Sequence, residues 1–293
     1  MPIFFVVSGY FLGKKIEDNS LDTDAIAKRY MLRTTKLFLI WFLLYFPAII
    51  ARGIIDNEGK IWTIKALLII QEILFKCPAY LWYLIALIVA IYPAVYLYRR
   101  NRCVCLILAA VLYILGCLGN TYLYVPIFSE IWEPYLNIFL TTRNGVFFAF
   151  PYLTLGIFLH SMDGGCKSRR TLAFGSIVSW MIFATEVSFA SGWFRKGGDC
   201  SMYFSMPLVV IFLFWLIKDM KIKLNTKWNS LLREMSTWMY CSQYFFITAT
   251  LFLIPRFLGI TNELLLWAMV VVFDIIAFMF IHKFFPKLEQ ELT

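Results

Sequence analysis

Apolar residues in this chain gather into long runs separated by short polar intervals. After an opening run from Met1 to Gly13, such runs cover about 37–55, 81–98, 103–123, 146–159, 171–190, 202–217, 237–254 and 264–281. Most approach the roughly 20 residues that carry a helix across the ~30 Å hydrocarbon layer of a bilayer. The pattern therefore predicts nine helical spans. Tryptophans crowd their ends, at Trp41, Trp82, Trp132, Trp180, Trp193, Trp228 and Trp238, where an aromatic belt meets the headgroups. One further stretch, 61–75, is apolar but short, and it carries Lys65, Gln71 and Glu72. Counted as a span it would invert every later loop, so it reads as an amphipathic helix in the outer interface. The longest polar interval is about twenty residues, which leaves no room for a soluble domain.

Composition agrees. Hydrophobic residues make up 61% of the chain and charged residues 15%, with a mean hydropathy of +0.74, against about half and a quarter in soluble domains. The expected class is all-α, a polytopic transmembrane helix bundle in contact with the lipid bilayer. The net charge of +9 does not indicate nucleic acid, because the basic residues sit in short clusters between apolar runs and no nucleic-acid motif accompanies them. They set topology instead. Nineteen of the 27 Lys and Arg residues fall in the loops at 14–36, 99–102, 160–170 and 218–236 and in the C-terminal tail. The remaining eight fall with Arg52 and in the loops at 56–80, 122–145, 191–201 and 255–263. The positive-inside rule then places the first set and the C-terminus in the cytoplasm and Met1 outside. The seven cysteines follow no metal or disulfide framework and read as small buried hydrophobes.

The opening run is anomalous. Its thirteen residues rise only about 20 Å as a helix, and Lys14 and Lys15 follow it, the reverse of a secretory signal peptide. One more helix upstream would complete the span and bring both termini inside. The expectation is a single membrane domain over 1–293, nine helices present of ten, with the first missing. The alternative is a genuine nine-helix protein.

Several local patterns converge on one family. Phe4, Phe5, Val6, Val7, Ser8, Gly9, Tyr10, Phe11 and Leu12 resemble the FFxxSGyfL segment of the second helix in the membrane-bound acyltransferase-3 family. Leu81-Trp82-Tyr83-Leu84 resembles its LW[FY]L signature, and Arg143-Asn144-Gly145 with the apolar residues up to Pro151 resembles its RNGlffgfP segment. Ser236-Thr237-Trp238-Met239-Tyr240 is similar to its SxxxY motif. The matches come in the family's order over nearly the whole chain, and the family's ten helices agree with the count above.

The resemblance implies a multipass transferase of the bacterial inner membrane. It would move an acyl group, commonly acetyl from acetyl-CoA, onto a hydroxyl of a cell-surface carbohydrate or lipid-linked precursor. The acyl-CoA is a co-substrate, and no bound cofactor is implied. Such chemistry needs a base for the hydroxyl proton, donors for the thioester oxyanion and cations for the CoA phosphates. Arg29, Arg33 and Lys36 fall on one helical face in a segment similar to the family's basic RxxR stretch, with Lys36 in place of the second Arg. They also serve the positive-inside rule. The family's base is a histidine on the first helix, which this sequence does not contain. Tyr80 and Gln243 stand where relatives often carry histidine. His160 and His282, at cytoplasmic helix ends, read as interfacial rather than catalytic.

Further candidates for the acceptor or cavity are Ser8, Trp82, Arg143, Asn144, Tyr240, Gln243, Glu186 and Asp274. The two carboxylates stand out because charge within a span is costly and marks function by default, although Asp274 could equally be held by a hydroxyl or amide of a neighbouring helix. Ser8 and Gly9 also suit close helix packing. Two other classes stay open, the first on composition and the second on the family resemblance, since some relatives carry an appended soluble domain. A transporter or flippase for an envelope precursor is one, against which stands the lack of an internal repeat. A sensory or racemase-associated membrane module is the other.

Overall fold

In a computed structural model the described residues are 2–18, 23–76, 81–123, 125–162, 168–193, 202–220, 226–258, 262–286, 289 and 292. Among them the protein is all-α, without a strand. Its helices are α1 (Pro2–Asp18), α2 (Thr23–Asp56), α3 (Trp62–Gln71), α4 (Trp82–Arg100), α5 (Arg102–Leu118), α6 (Pro126–Phe139), α7 (Phe150–Ser161), α8 (Arg169–Trp193), α9 (Met206–Asp219), α10 (Thr226–Leu258) and α11 (Glu263–Phe284). A π-helical turn, Glu72–Lys76, continues α3, and another, Gly145–Ala149, leads into α7.

Each of the nine apolar runs holds a helix, with 119–123 and 202–205 lying outside one. By length and composition α2, α4, α11 and the Arg169–Ala190 part of α8 can cross a membrane, while Arg102–Leu118 and Gly145–Ser161 are shorter apolar helices. The basic segment ahead of residue 37 is not a loop but the first turns of α2. The polar residues from Thr226 likewise belong to α10. The stretch 122–145, expected as a loop, holds α6. Its signal was Pro126 at the first helical position, where the missing N–H costs nothing.

Two compact units emerge. One comprises Met1–Thr35, Ala66–Lys76 and Trp82–Lys221; the other comprises Lys36–Lys65, Cys77–Leu81 and Ile222–Thr293. In the first unit α1 and α7 cross with their backbones touching. A Cβ on Gly9 would lie 2.1 Å from the Leu153 carbonyl oxygen, and one on Gly156 would lie 2.2 Å from that of Val6. Only glycine permits this approach, and dispersion between the two backbones replaces the side-chain packing it excludes. The helices run in the same direction, since Phe5 meets Phe148 at a ring separation of 5.8 Å while Gly13 lies against His160. In the second unit α10 and α11 pack together. There Tyr45 of α2 donates to the Cys241 carbonyl at 2.7 Å, and Trp41 lies edge-on to Trp238 at 5.5 Å.

Candidate functional site

Three of the motif segments meet in the first unit. Phe5 of α1 packs at a tilt against Tyr83 of α4, with ring centroids 4.4 Å apart, and against Trp82 at 6.2 Å. Phe148, four residues after Asn144, closes on Trp82 at 5.7 Å. Within this aromatic frame the Ser8 and Tyr83 hydroxyls lie 3.1 Å apart. The Tyr30 phenol of α2 also hydrogen-bonds Ser8, and the Arg33 guanidinium bears on that phenol electrostatically. The Arg143 guanidinium sits 4.7 Å above the Trp82 ring, a cation–π arrangement that keeps a charge at the edge of an apolar surface. Tyr30 and Tyr83 were not among the candidates from sequence, although both lay inside the family-like segments. Their hydroxyls became visible only through the α1–α2–α4 packing.

The local sequence explains how Arg143 is held. Asn144 caps the π-helical turn, its Oδ1 accepting from Val146 and Phe147 N–H at 3.0 and 3.1 Å, while its Nδ2 donates to Tyr135 Oη at 2.8 Å. Its polar atoms are thus engaged within the protein. Gly145 lets the turn press on α4, where a Cβ would lie 2.6 Å from Val89 Cβ.

Glu186 closes the link between α8 and α9. Its Oε1 accepts from the Tyr122 hydroxyl and from the Phe204 N–H at 2.8 Å, and its Oε2 accepts from the hydroxyl of Ser205 and from the Ser205 N–H at 2.8 Å. A carboxylate on amides at the start of α9 is favoured by the helix dipole. Tyr122 stands beyond the end of α5.

In the second unit Asp274 of α11 is buried, 2% exposed. Among the described residues two donors converge on its Oδ1, the Trp238 indole at 2.8 Å and the Ser242 hydroxyl at 2.6 Å. This is the hydroxyl partner foreseen for a structural role, with an indole added from the SxxxY segment. Tyr240 and Gln243, on the same helix α10, are half-buried. Arg29, Arg33 and Lys36 are all exposed on α2. Tyr80 lies outside the described residues.

The two histidines are paired with carboxylates. His160 Nε2 is 2.7 Å from Glu17 Oε2, joining the ends of α7 and α1. His282 Nδ1 lies 2.8 and 2.9 Å from the oxygens of Glu289. Glu234 brings a third ligand-type atom within 4.8 Å of that pair, and the hydrogen bond between His282 and Glu289 already gives both groups a role.

Comparison with known proteins fits this picture. The sequence profile of a family described as acyltransferase domain matches residues 1–283. The chain is similar to an amino-acid racemase of Enterococcus faecalis, 26% identical over 237 residues that cover 78% of this chain and 32% of that protein. It is also similar to a serine/alanine racemase of Enterococcus gallinarum, 25% identical over 281 residues, 94% of this chain and 39% of that protein. The chain thus spans under two-fifths of the length of these curated relatives. No solved structure matches it.

Proposed function

We propose, because the chain belongs to the acyltransferase-3 family of membrane domains, that it moves an acyl group, acetyl in the simplest case, from acyl-CoA to a hydroxyl of a cell-envelope carbohydrate or its lipid-linked precursor. In that reaction the acceptor oxygen forms a bond to the thioester carbon and the C–S bond breaks. The hydroxyl proton passes to a base and CoA leaves as its thiol. The observation that carries the reading is the meeting of Ser8, Tyr83, Trp82 and Arg143, from three separate family segments, in one place. Hydroxyls fixed in an apolar frame suit donation to the oxygen on which charge develops. Arg29, Arg33 and Lys36, exposed along one face of α2, suit the CoA phosphates. With the positive-inside bias the α2 cations and the C-terminus face the cytoplasm of a plasma membrane, where acyl-CoA is found.

The test gives membranes containing the protein radiolabelled acetyl-CoA and follows label into the glycolipid and carbohydrate fractions. Arg33→Ala should raise the KM for acetyl-CoA about tenfold or more, as expected for one charge-assisted phosphate contact. Label that stays in CoA with the native protein would overturn the assignment.

The relatives' names favour a second reading, in which this membrane domain handles an amino acid for a racemase. Uptake of labelled L-serine into vesicles holding the protein, without any acetyl transfer, would favour it.

A further inference from the structure

From helix α6 we infer an interaction surface: Pro126–Phe139 lies flat in one bilayer interface, its isoleucine stripe among the lipid chains and its acidic face in water. At about 100° per residue the helix presents three faces rather than two. Ile127, Ile131, Pro134 and Ile138 share one, and the three isoleucines are 63%, 68% and 55% exposed. Glu130, Glu133 and Asn137, all exposed, share the second. The third is aromatic and turned onto the protein. Trp132 and Tyr135 lie edge-on to Phe147 at 5.4 and 5.7 Å, and Trp132 packs so closely on Gly119 that a Cβ there would be 2.7 Å from the indole.

Each face has one suitable neighbour. An apolar stripe in water at this exposure would be a liability, and the acidic face bars immersion in hydrocarbon. Fourteen residues make about 21 Å of helix, too little to span. A position at the junction of protein, lipid chains and water satisfies all three faces at once. The apolar helix α5 likewise leaves large side chains exposed, among them Ile107 and Ile114. Helix α6 is also fixed from its far end: the Gln71 side chain donates to the Asn137 and Ile138 carbonyls at 2.6 and 3.0 Å, and so holds acceptors that the helix end leaves open. Because Tyr135 bonds Asn144, the Arg143 turn is tied one side chain away from that lipid surface.

The experiment places a photo-crosslinking benzoylphenylalanine at Ile131 or at Glu133 in the full chain, reconstituted in vesicles of phosphatidylethanolamine and phosphatidylglycerol. Both positions are exposed, so neither substitution disturbs packing. Lipid adducts, read by mass spectrometry, should form at position 131 and be at least several-fold scarcer at 133, with Ile127 and Glu130 repeating the pattern. Equal lipid labelling of both faces means immersion, no lipid labelling means a helix held in water, and adducts to a second protein chain mean a protein interface. Any of these three results overturns the assignment.

Discussion

Glu186 and Asp274 are both carboxylates inside helices that can cross a membrane, and the protein treats them in opposite ways. Glu186 engages both oxygens, and two of its four donors are backbone amides. Among the described residues Asp274 engages one oxygen, and its donors there are both side chains. The first carboxylate replaces the capping that the start of α9 lacks from its own residues, since the Ser205 side chain makes no bond to its helix backbone. The second tethers α11 to two positions of α10 one turn apart. A carboxylate that satisfies backbone cannot be exchanged without refolding the segment it caps, whereas one held by side chains keeps an oxygen for other work.

Amide substitution separates the two most sharply. In Glu186→Gln one of the two terminal atoms becomes an NH2 group, and whichever oxygen it replaces, it faces an N–H donor from residue 204 or 205. Losing charge and acceptor together should cost about 3 kcal/mol, given about 1.5–3 for each charge-assisted bond, and the apparent melting temperature of the detergent-solubilised protein should fall well below the native value. A native-like melting temperature would mean that the amides do not depend on Glu186. Next in size is Asp274→Ala, which leaves the Trp238 indole buried without its acceptor, while the Ser242 hydroxyl keeps the Trp238 carbonyl at 2.8 Å. About 2 kcal/mol is expected, read in the same assay. A smaller loss follows from Tyr122→Phe, which removes one of the four donors to Glu186 while leaving both amides in place. Its cost should be about 1 kcal/mol; a loss as large as that of Glu186→Gln would show that the phenol, not the backbone, carries the clasp.

Both carboxylates were legible in the sequence as intramembrane charges, and a hydroxyl tether was among the readings for Asp274, but the particular donors were not legible. The donors to Asp274 come from another helix: Trp238 and Ser242 reach it because of how α10 meets α11, and sequence spacing carries no trace of that contact. Two of the donors to Glu186 are backbone groups, which every residue but proline carries and no pattern marks. The helices themselves were readable because long apolar runs have few other solutions, and α6 was missed because its fourteen residues are too few to span a bilayer and so were read as part of a loop. Within the site, Trp82, Arg143 and Ser8 were found through family motifs and do come together. Tyr30 and Tyr83 entered only when packing brought their hydroxyls to Ser8, and Asn144 proved to have its polar atoms engaged in the turn that positions Arg143.

The smallest expected effect tests the other half of the contrast. In Asp274→Asn the amide oxygen can take the place of Oδ1 and accept from both Trp238 and Ser242, while the new NH2 group occupies the position of Oδ2, on which neither donor converges. Hydrogen bonds to a neutral acceptor are weaker than to a carboxylate, but the cost of a buried charge disappears with them. The two changes oppose one another, so stability should shift by no more than about 0.5 kcal/mol in either direction. Acetyl transfer measured on the same variant then reports on the carboxylate alone. If activity drops while the melting temperature holds, the charge of Asp274 has a use beyond joining α10 to α11; if both are unchanged, its oxygen is a tether and nothing more. A large loss of stability would show that Oδ2 also holds a donor, like both oxygens of Glu186, and the distinction between the two carboxylates would fall.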